Sequence, residues 1–189
     1  MKIYKHLLKF SHSWVSWALM LVVVNCLLTS SMYFQHVVGL SPCINCIYER
    51  MCLIGLALTA LAGLALHKSV YFRGLVMFSW LLNSGVGLKI ATEHHLLQVS
   101  PSPFSMCTTK LAFSDKVPLD VWMPSVFKAF GSCSDSVWSF MEVSMVQWII
   151  VIFGVSAIMA LIFTLVDLIA MFRHEGVYID QSWKDGGED

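Results

Sequence analysis

The sequence predicts an all-α membrane protein, a bundle of four transmembrane helices with a short first outer loop and a long second one. Hydrophobic residues make up 57% of the chain and charged residues only 13%, against about a quarter charged in soluble proteins. Mean hydropathy is +0.71, and four apolar segments each have about the 20 residues that a bilayer-spanning helix needs. Residues 1–189 are expected to form a single membrane domain, and the formal net charge of zero gives no reason to expect nucleic acid binding.

The four spans are predicted at about residues 14–34, 46–66, 70–91 and 145–172. Trp14 and Phe34 mark the ends of the first span with aromatic side chains typical of membrane interfaces. A cleaved signal peptide also begins with a basic head and an apolar core, but this apolar stretch is long and no clear cleavage site follows it. In the second span, Gly55 and Gly63 are expected to let a neighbouring helix approach closely.

Turn-forming residues and charge define the connecting segments. A glycine and Pro42 break the short first loop, residues 35–42, and four prolines occur in the long polar loop, about residues 92–144. Within that loop, residues 122–130 carry apolar side chains at helical spacing, which predicts a short amphipathic segment on the outer membrane surface. The acidic tail, residues 173–189, is expected to be disordered.

The distribution of lysine and arginine orients the chain. Four spans place both termini on one side, and that side also receives three lysines of the amino-terminal head, Lys68, Arg73 and Arg173. The positive-inside rule therefore predicts that both termini are cytoplasmic. The outer side then holds Cys43, Cys46, Cys107 and Cys133, while Cys26 and Cys52 lie within spans. Disulfide chemistry is permitted where the four outer cysteines lie.

A C-x-x-C pair, Cys43 and Cys46, lies at the amino-terminal mouth of the second span. Unpaired backbone N–H groups and the positive end of the helix dipole favour a thiolate there. Arg50 follows Cys46 by one helical turn on the same face and adds a fixed positive charge. This pattern favours a redox-active dithiol over a structural disulfide, and over Arg50 as a simple interfacial anchor.

Other candidate groups leave alternatives open. Cys107 and Cys133 in the long loop form either a structural disulfide or an exposed one that a partner thiol attacks. His94 is either a hydrogen-bond donor to a carbonyl ligand or a solvated interface histidine. Four thiolates also suit zinc, but only one pair is closely spaced and an oxidising compartment competes for the thiols. We therefore predict no metal site.

Several runs of residues together resemble the disulfide bond formation protein B (DsbB) family, from the first span to the start of the fourth. They are Phe34 to Val37, Pro42-Cys43, Cys46 to Arg50, Glu93-His94, Leu97-Gln98, Pro101 to Phe104 before Cys107, Pro118 to Asp120, Trp122, Pro124, Val126-Phe127, Gly131, Cys133, Trp138 and Gln147-Trp148. The resemblance departs at Asn45, which is polar where the family is often apolar, and it assigns no role to Cys26, Cys52 or the acidic tail.

The resemblance implies a quinone-dependent protein-disulfide oxidoreductase, a thiol oxidase in the bacterial inner membrane with its redox cysteines periplasmic. It reoxidises a DsbA-like thioredoxin-fold partner in the periplasm. It passes the electrons to a membrane quinone, ubiquinone or menaquinone, and so supports disulfide bond formation in exported proteins.

The resemblance also implies a role for each site residue. Cys107 is the sulfur that the partner attacks, Cys133 is its mate, and Cys43 exchanges with this loop pair. The residues implied at the quinone are Cys46, Arg50 and His94.

Three alternatives stand beside this interpretation. A vitamin K epoxide reductase-like enzyme also sets a C-x-x-C near quinone in a four-helix bundle, but the residues from Pro101 to Cys107 argue against it. The second is a non-enzymatic membrane protein that binds or transports metal through its cysteines and histidines. The third is a purely structural four-span protein with one stapled outer loop.

Overall fold

A computed structural model describes residues 2–66, 70–100, 118–133 and 138–172. The expectations for Cys107, the motif at 101–104 and the acidic tail lie outside these described residues.

The described chain is almost entirely helical. Its helices are α1 Lys2–His12, α2 Trp14–His36, α3 Ile44–Leu66, α4 Val70–Val99, α5 Leu119–Trp122, α6 Pro124–Phe127 and α7 Met145–Phe172, and a two-stranded hairpin pairs β1 Ser139–Phe140 with β2 Val143–Ser144. Four of the helices are long and apolar enough to cross a membrane: Trp14–His36, Ile44–Leu66, Phe72–Val99 and Met145–Ala170. The predicted all-α fold with four membrane-spanning helices is confirmed.

The third span is longer than predicted. Helix α4 continues through residue 91 to Val99, so the first eight residues assigned to the long loop are helical. The polar residues there suggested an interface, but none of them is a helix breaker, and the next such residue is Pro101. This extension carries His94 on the buried side of the helix. Helix α3 likewise begins at Ile44, slightly earlier than the predicted residue 46.

The basic head forms a helix that the sequence analysis did not predict. Leu8 of α1 is 1% exposed and belongs to a buried cluster with Val166 and Ala170 of α7. The Oγ of Ser13 then accepts a hydrogen bond from the Val15 N–H, which caps the start of α2. The head is thus an amphipathic helix packed against the bundle.

The long helices pack in the order α2, α3, α4, α7, and within the described residues the contacts between α2 and α7 are few. Close approach depends on glycine, as predicted. A Cβ on Gly63 would lie 2.3 Å from the Trp17 ring of α2, and one on Gly55 would lie 2.1 Å from Asn83 Oδ1 of α4. The bundle is therefore tight along three seams and open along the fourth, between α2 and α7.

The two ends of the bundle carry different polar groups, and we call them the cysteine end and the amino-terminal end. At the amino-terminal end, Asp167 of α7 accepts hydrogen bonds from Arg73 Nε at 3.1 Å and from Ser11 Oγ at 3.2 Å. His12 also contacts the Arg73 guanidinium there. All four side chains are buried, so the amino-terminal helix and two spans share one polar cluster. The cysteine end holds the candidate site.

The predicted amphipathic segment at 122–130 differs in detail from the expectation. Only its first residue, Trp122, belongs to α5, and Pro124–Phe127 form the single-turn helix α6. Met123 between them leaves the helical region, with φ −135° and ψ 70°, in advance of Pro124. Its apolar residues do not share one face. Phe127 is 6% exposed and packs into the core, whereas Trp122 and Phe130 remain 66% and 63% exposed.

Candidate active site

Cys43 and Cys46 lie together where α3 begins. The Cys43 carbonyl accepts from the Ile47 N–H at 3.3 Å, and the Cys43 sulfur accepts from the Cys46 N–H at 3.4 Å. Cys43 thus occupies the N-cap position, with its sulfur where a serine oxygen would cap the helix. The two Sγ atoms are 3.2 Å apart, and Cys43 is only 2% exposed. This placement confirms the helix-mouth geometry predicted for the pair.

His94 connects Cys43 to an acidic residue that the sequence analysis gave no role. The His94 Nε2 lies 3.4 Å from Cys43 Sγ, and its Nδ1 lies 3.0 Å from Glu49 Oε1. Glu49 and His94 are each 3% exposed. Both ring nitrogens therefore have protein partners, and the imidazole lies against the dithiol. In the sequence, Glu49 is recognisable as a candidate by its position one turn after Cys46. Its partner His94 is on α4, so only the packing of α4 against α3 shows the contact.

Arg50 is held by α2 and α6. Its Nε and Nη2 donate to Ser31 Oγ at 3.1 and 2.9 Å, and its Nη1 donates to Gln35 Oε1 at 2.9 Å and to the Val126 carbonyl at 2.6 Å. A guanidinium has five N–H groups, so four bonds leave one N–H on Nη2. Among the described residues no carboxylate forms an ion pair with this guanidinium, although Arg50 is 3% exposed.

The segment before Cys133 is fastened to the segment before Cys43. The N–H groups of Phe130 and Gly131 donate to the Pro42 carbonyl at 2.9 and 3.1 Å. A Cβ on Gly131 would lie 2.3 Å from the Ser41 carbonyl oxygen, so only glycine fits at this approach. Cys133 is fully buried in the same hydrophobic cluster as Cys43. The structure thereby brings these two predicted cysteines together.

Gln35 adds a second attachment for the same loop. Its Nε2 donates to the Ser125 carbonyl at 2.7 Å while its Oε1 accepts from Arg50. Two adjacent carbonyls of the loop, at 125 and 126, are thus bound by side chains from α2 and α3. Ser31 and Gln35 had no predicted role, because nothing local in the sequence links them to a residue some 15 or more positions away.

Two cavities meet at the cysteine end. The smaller, about 80 Å³, is bordered by Cys43, Cys46, Arg50 and His94. The larger, about 380 Å³, opens between α2 and α7 and has Cys46, Glu49 and Arg50 as its ionisable residues. Most of its remaining lining is apolar or aromatic: Leu27, Phe34, Leu53, Trp138, Phe140, Met145, Trp148, Ile149, Ile152 and Phe153.

The β-hairpin shapes the wall of the larger cavity. Met141 and Glu142 adopt positive φ values of 53° and 64°, as the central residues of a tight hairpin turn do. The hairpin stacks Trp138 on Phe140, with ring centroids 6.0 Å apart, and Trp138 lies 5.1 Å from the Phe34 ring of α2. Aromatic side chains therefore form one wall of the cavity beside Cys46.

A match to a protein-family model covers most of the chain and assigns it to a family. The family model described as "Disulfide bond formation protein DsbB" matches residues 13–163. That range contains every described site residue named above. The chain belongs to the DsbB family.

Curated relatives of the DsbB family agree with this assignment. A "Disulfide bond formation protein B" from Vibrio parahaemolyticus is 41% identical over 154 residues, covering 82% of this chain and 86% of the relative. The protein of that name from Vibrio cholerae is 40% identical over 168 residues, covering 89% and 97%. One from Shewanella frigidimarina is 38% identical over 157 residues, covering 83% and 93%.

Membership in the DsbB family confirms the resemblance on which the sequence analysis relied. The chain is a membrane oxidoreductase of disulfide bond formation, with four apolar helices that make it a multi-pass protein. The donor atoms of Cys43, Cys46 and His94 also lie within 4.8 Å of one another, the spacing that the metal-binding alternative needs.

Proposed function

We propose that this protein is a quinone-dependent protein-disulfide oxidoreductase that reoxidises a DsbA-like thioredoxin-fold partner. One observation carries the proposal. The Cys43–Cys46 pair belongs to the same hydrophobic cluster as the buried loop cysteine Cys133, and its Cys46 borders an apolar cavity that contains a buried cation. A dithiol in that position can receive electrons from the loop and release them into the membrane.

The proposed order of electron transfer follows access. A partner thiolate attacks Cys107, and the electrons pass through Cys133 to Cys43 by thiol–disulfide exchange. Cys46 is the sulfur that borders the larger cavity, at the helix mouth and one turn from the Arg50 guanidinium, which also lines that cavity. Electrons therefore leave from Cys46.

The larger cavity fits a quinone ring. Arg50 is a buried cation with one N–H still available and no paired carboxylate among the described residues, and buried charges are normally paired. A carbonyl oxygen of the ring would accept that N–H, and the guanidinium would stabilise negative charge on it. When bound, ubiquinone or menaquinone supplies a two-electron acceptor.

A third cavity, of about 450 Å³, continues from the larger cavity along the open side of the bundle. It shares Leu27, Leu53 and Ile152 with the larger cavity, and its lining is almost wholly apolar. A long isoprenoid chain needs such a surface. The larger cavity and this third cavity together suit an acceptor that dissolves in the bilayer.

The cysteine end is proposed to be periplasmic, and both termini cytoplasmic, in the bacterial inner membrane. In the sequence, the lysines of the head, Lys68, Arg73 and Arg173 flank the ends of the spans that the positive-inside rule assigns to the cytoplasm. The periplasm is also the compartment in which the outer cysteines can be oxidised.

The test is anaerobic mixing of the purified protein with a reduced DsbA-like protein and a water-soluble ubiquinone analogue. We expect quinone absorbance to fall by one equivalent per partner dithiol. Cys46→Ser should abolish the change, whereas Cys26→Ser, which alters a lipid-exposed cysteine, should not.

The same samples distinguish the alternatives. Stoichiometric zinc in the purified protein, with no quinone reduction, would favour the metal-binding function. Neither quinone reduction nor bound zinc in the wild-type protein would favour a purely structural role.

A further inference from the structure

We propose that His94 and Glu49 form a proton path that carries the Cys43 thiol proton to the larger cavity. The proposal rests on the proposed quinone reduction and deepens it, since it assigns a catalytic role to Glu49. In this proposal, His94 accepts the proton of the Cys43 thiol and does not bind the quinone.

The contacts form an unbroken chain. Cys43 Sγ lies 3.4 Å from His94 Nε2, and His94 Nδ1 lies 3.0 Å from Glu49 Oε1. In neutral imidazole one nitrogen carries the proton and the other accepts. A carboxylate at Nδ1 fixes the proton there, which leaves Nε2 as the acceptor for the Cys43 S–H. The arrangement is that of a nucleophile, a base and an orienting acid.

The path crosses between the two cavities. His94 borders only the smaller one, beside Cys43, whereas Glu49 borders only the larger one, beside Cys46 and Arg50. Both side chains are 3% exposed, so they are shielded from bulk water. Glu49 is thus the described group that reaches both His94 and the cavity.

The ionisable groups around this path are few. Helix α3 and its N-cap contribute Cys43, Cys46, Arg50 and Cys52, and Cys133 lies in the same hydrophobic cluster as Cys43. Helices α2 and α7 add no ionisable side chain to the lining of either cavity. On α4, Glu93 is 57% exposed and pairs with Lys89 on the outer face. Within the described residues, no other carboxylate is placed to accept the His94 proton.

The proton balance requires such a path. Dithiol plus quinone gives disulfide plus quinol, a transfer of two electrons and two protons. The S–S bond forms as the Cys43 S–H bond breaks, the electron pair leaves through Cys46, and the Cys43 proton passes to His94 Nε2. The Nδ1 proton passes to Glu49 and from there to an oxygen of the acceptor. The Cys46 proton leaves to solvent and the acceptor takes its second proton from solvent, so two protons are transferred in all.

The first test uses reduced, quinone-free protein and follows alkylation of Cys43 by iodoacetamide, with peptide mapping to separate the cysteines. His94→Gln and Glu49→Gln should each slow Cys43 alkylation several-fold at neutral pH, because the thiolate is the reacting form. Glu49→Asp keeps the carboxylate and should restore most of the rate. Glu93→Gln removes the same charge one residue from His94 on the exposed side and should leave the rate unchanged.

The second test measures a single turnover of the pre-reduced protein with a ubiquinone analogue in H₂O and D₂O. Loss of a positioned acid–base group lowers rates by about a hundredfold or more. Glu49→Gln should show that loss with an altered solvent isotope effect, while exchange with the partner keeps its rate.

The outcomes separate the two proposals. If wild-type protein reduces no quinone, the proposed function fails, and the alkylation rates still report whether His94 and Glu49 act on Cys43. If wild-type protein reduces quinone but Glu49→Gln and Glu49→Asp behave alike, Glu49 is structural and the proton path is overturned. Should Glu49→Gln not fold, His94→Gln decides: unchanged alkylation and turnover would also overturn the path.

Discussion

At the scale of single residues, the site depends on side chains that cap, orient or charge the dithiol. The Cys43 sulfur occupies the N-cap position of α3, where a helix supplies unpaired N–H donors. Arg50 places a buried positive charge one turn below Cys46, held rigid by three acceptor residues. A helix terminus and one cation therefore place positive electrostatic potential around the two sulfur atoms.

The Arg50 side chain provides a residue-scale prediction. Arg50→Met should raise the quinone KM at least tenfold, because it removes both the available N–H and the charge that faces the cavity. Arg50→Lys should be milder, since the charge is kept and only the fork of donors is lost. Quinone titrations with the pre-reduced protein would measure both effects.

The control for that prediction is Lys89→Met, which removes an exposed cation of α4 that pairs with Glu93. Its quinone KM should equal the wild-type value. An unchanged KM in Arg50→Met would exclude Arg50 from the acceptor site.

At the scale of elements, the loop that follows α4 is fastened to the bundle at the dithiol. The Pro42 carbonyl binds two backbone N–H groups of the loop, and Arg50 and Gln35 bind two of its carbonyls. These bonds hold the stretch that leads to Cys133 against the start of α3. The loop is therefore positioned for exchange between Cys133 and Cys43.

Gly131 tests this attachment. In a Cys46→Ser, Cys107→Ser background, mild oxidation should join Cys43 to Cys133. Gly131→Ala should slow that reaction about tenfold, the equivalent of roughly 1.4 kcal/mol, because its Cβ would lie 2.3 Å from the Ser41 carbonyl oxygen. Non-reducing peptide mapping would follow the bond.

Gly74→Ala is the matched control, because a Cβ there has no neighbouring atom within 4 Å. It should leave the rate of Cys43–Cys133 bond formation unchanged. Equal rates for the Gly131 and Gly74 variants would show that the attachment does not set the exchange.

The loop also carries the proposed entry point for electrons. Cys107→Ser should block reaction with the reduced partner, while the Cys43–Cys46 pair remains oxidisable by quinone. Stopped-flow mixing with the partner and separate titration with quinone would measure the two halves. A Cys107→Ser protein that still oxidises the partner at the wild-type rate would refute this order.

At the scale of the whole molecule, the described residues form a buried polar cluster at each end of the bundle. The cluster at the amino-terminal end joins α1, α4 and α7 through Ser11, Arg73 and Asp167. It lies far along the helices from the dithiol, so it stabilises the bundle without contributing to the site. Breaking one partner of a buried ion pair typically costs about 3–5 kcal/mol.

Asp167→Asn should therefore lower the midpoint of thermal unfolding in detergent markedly, because the Arg73 charge is left without its carboxylate. The double variant Arg73→Met, Asp167→Leu should lower this midpoint less than Asp167→Asn alone, since it leaves no unpaired buried charge. Unfolding scans of the three variants would show this. Additive losses would mean that the two side chains stabilise the bundle independently.

Orientation is the second whole-molecule prediction. An engineered cysteine at Lys68 should resist an impermeant maleimide on intact cells, because that connection is predicted to be cytoplasmic. Cys107 or Cys133 should react with the reagent after reduction. Labelling at position 68 under the same conditions would reverse the proposed topology.

The sequence by itself determined the four spans, the dithiol at a helix mouth and the family, because apolar length, helix-end chemistry and motif order are local or linear properties. It did not predict the end of α4, where polar residues without a breaker resembled an interface. Only the tertiary structure decided that His94 lies on Cys43 and Glu49, that Arg50 holds the loop, and that Cys133 is buried beside Cys43. These residues are 45 to 90 positions apart in the sequence. They exist because glycines such as Gly55 and Gly63 let the helices approach closely enough for their side chains to meet.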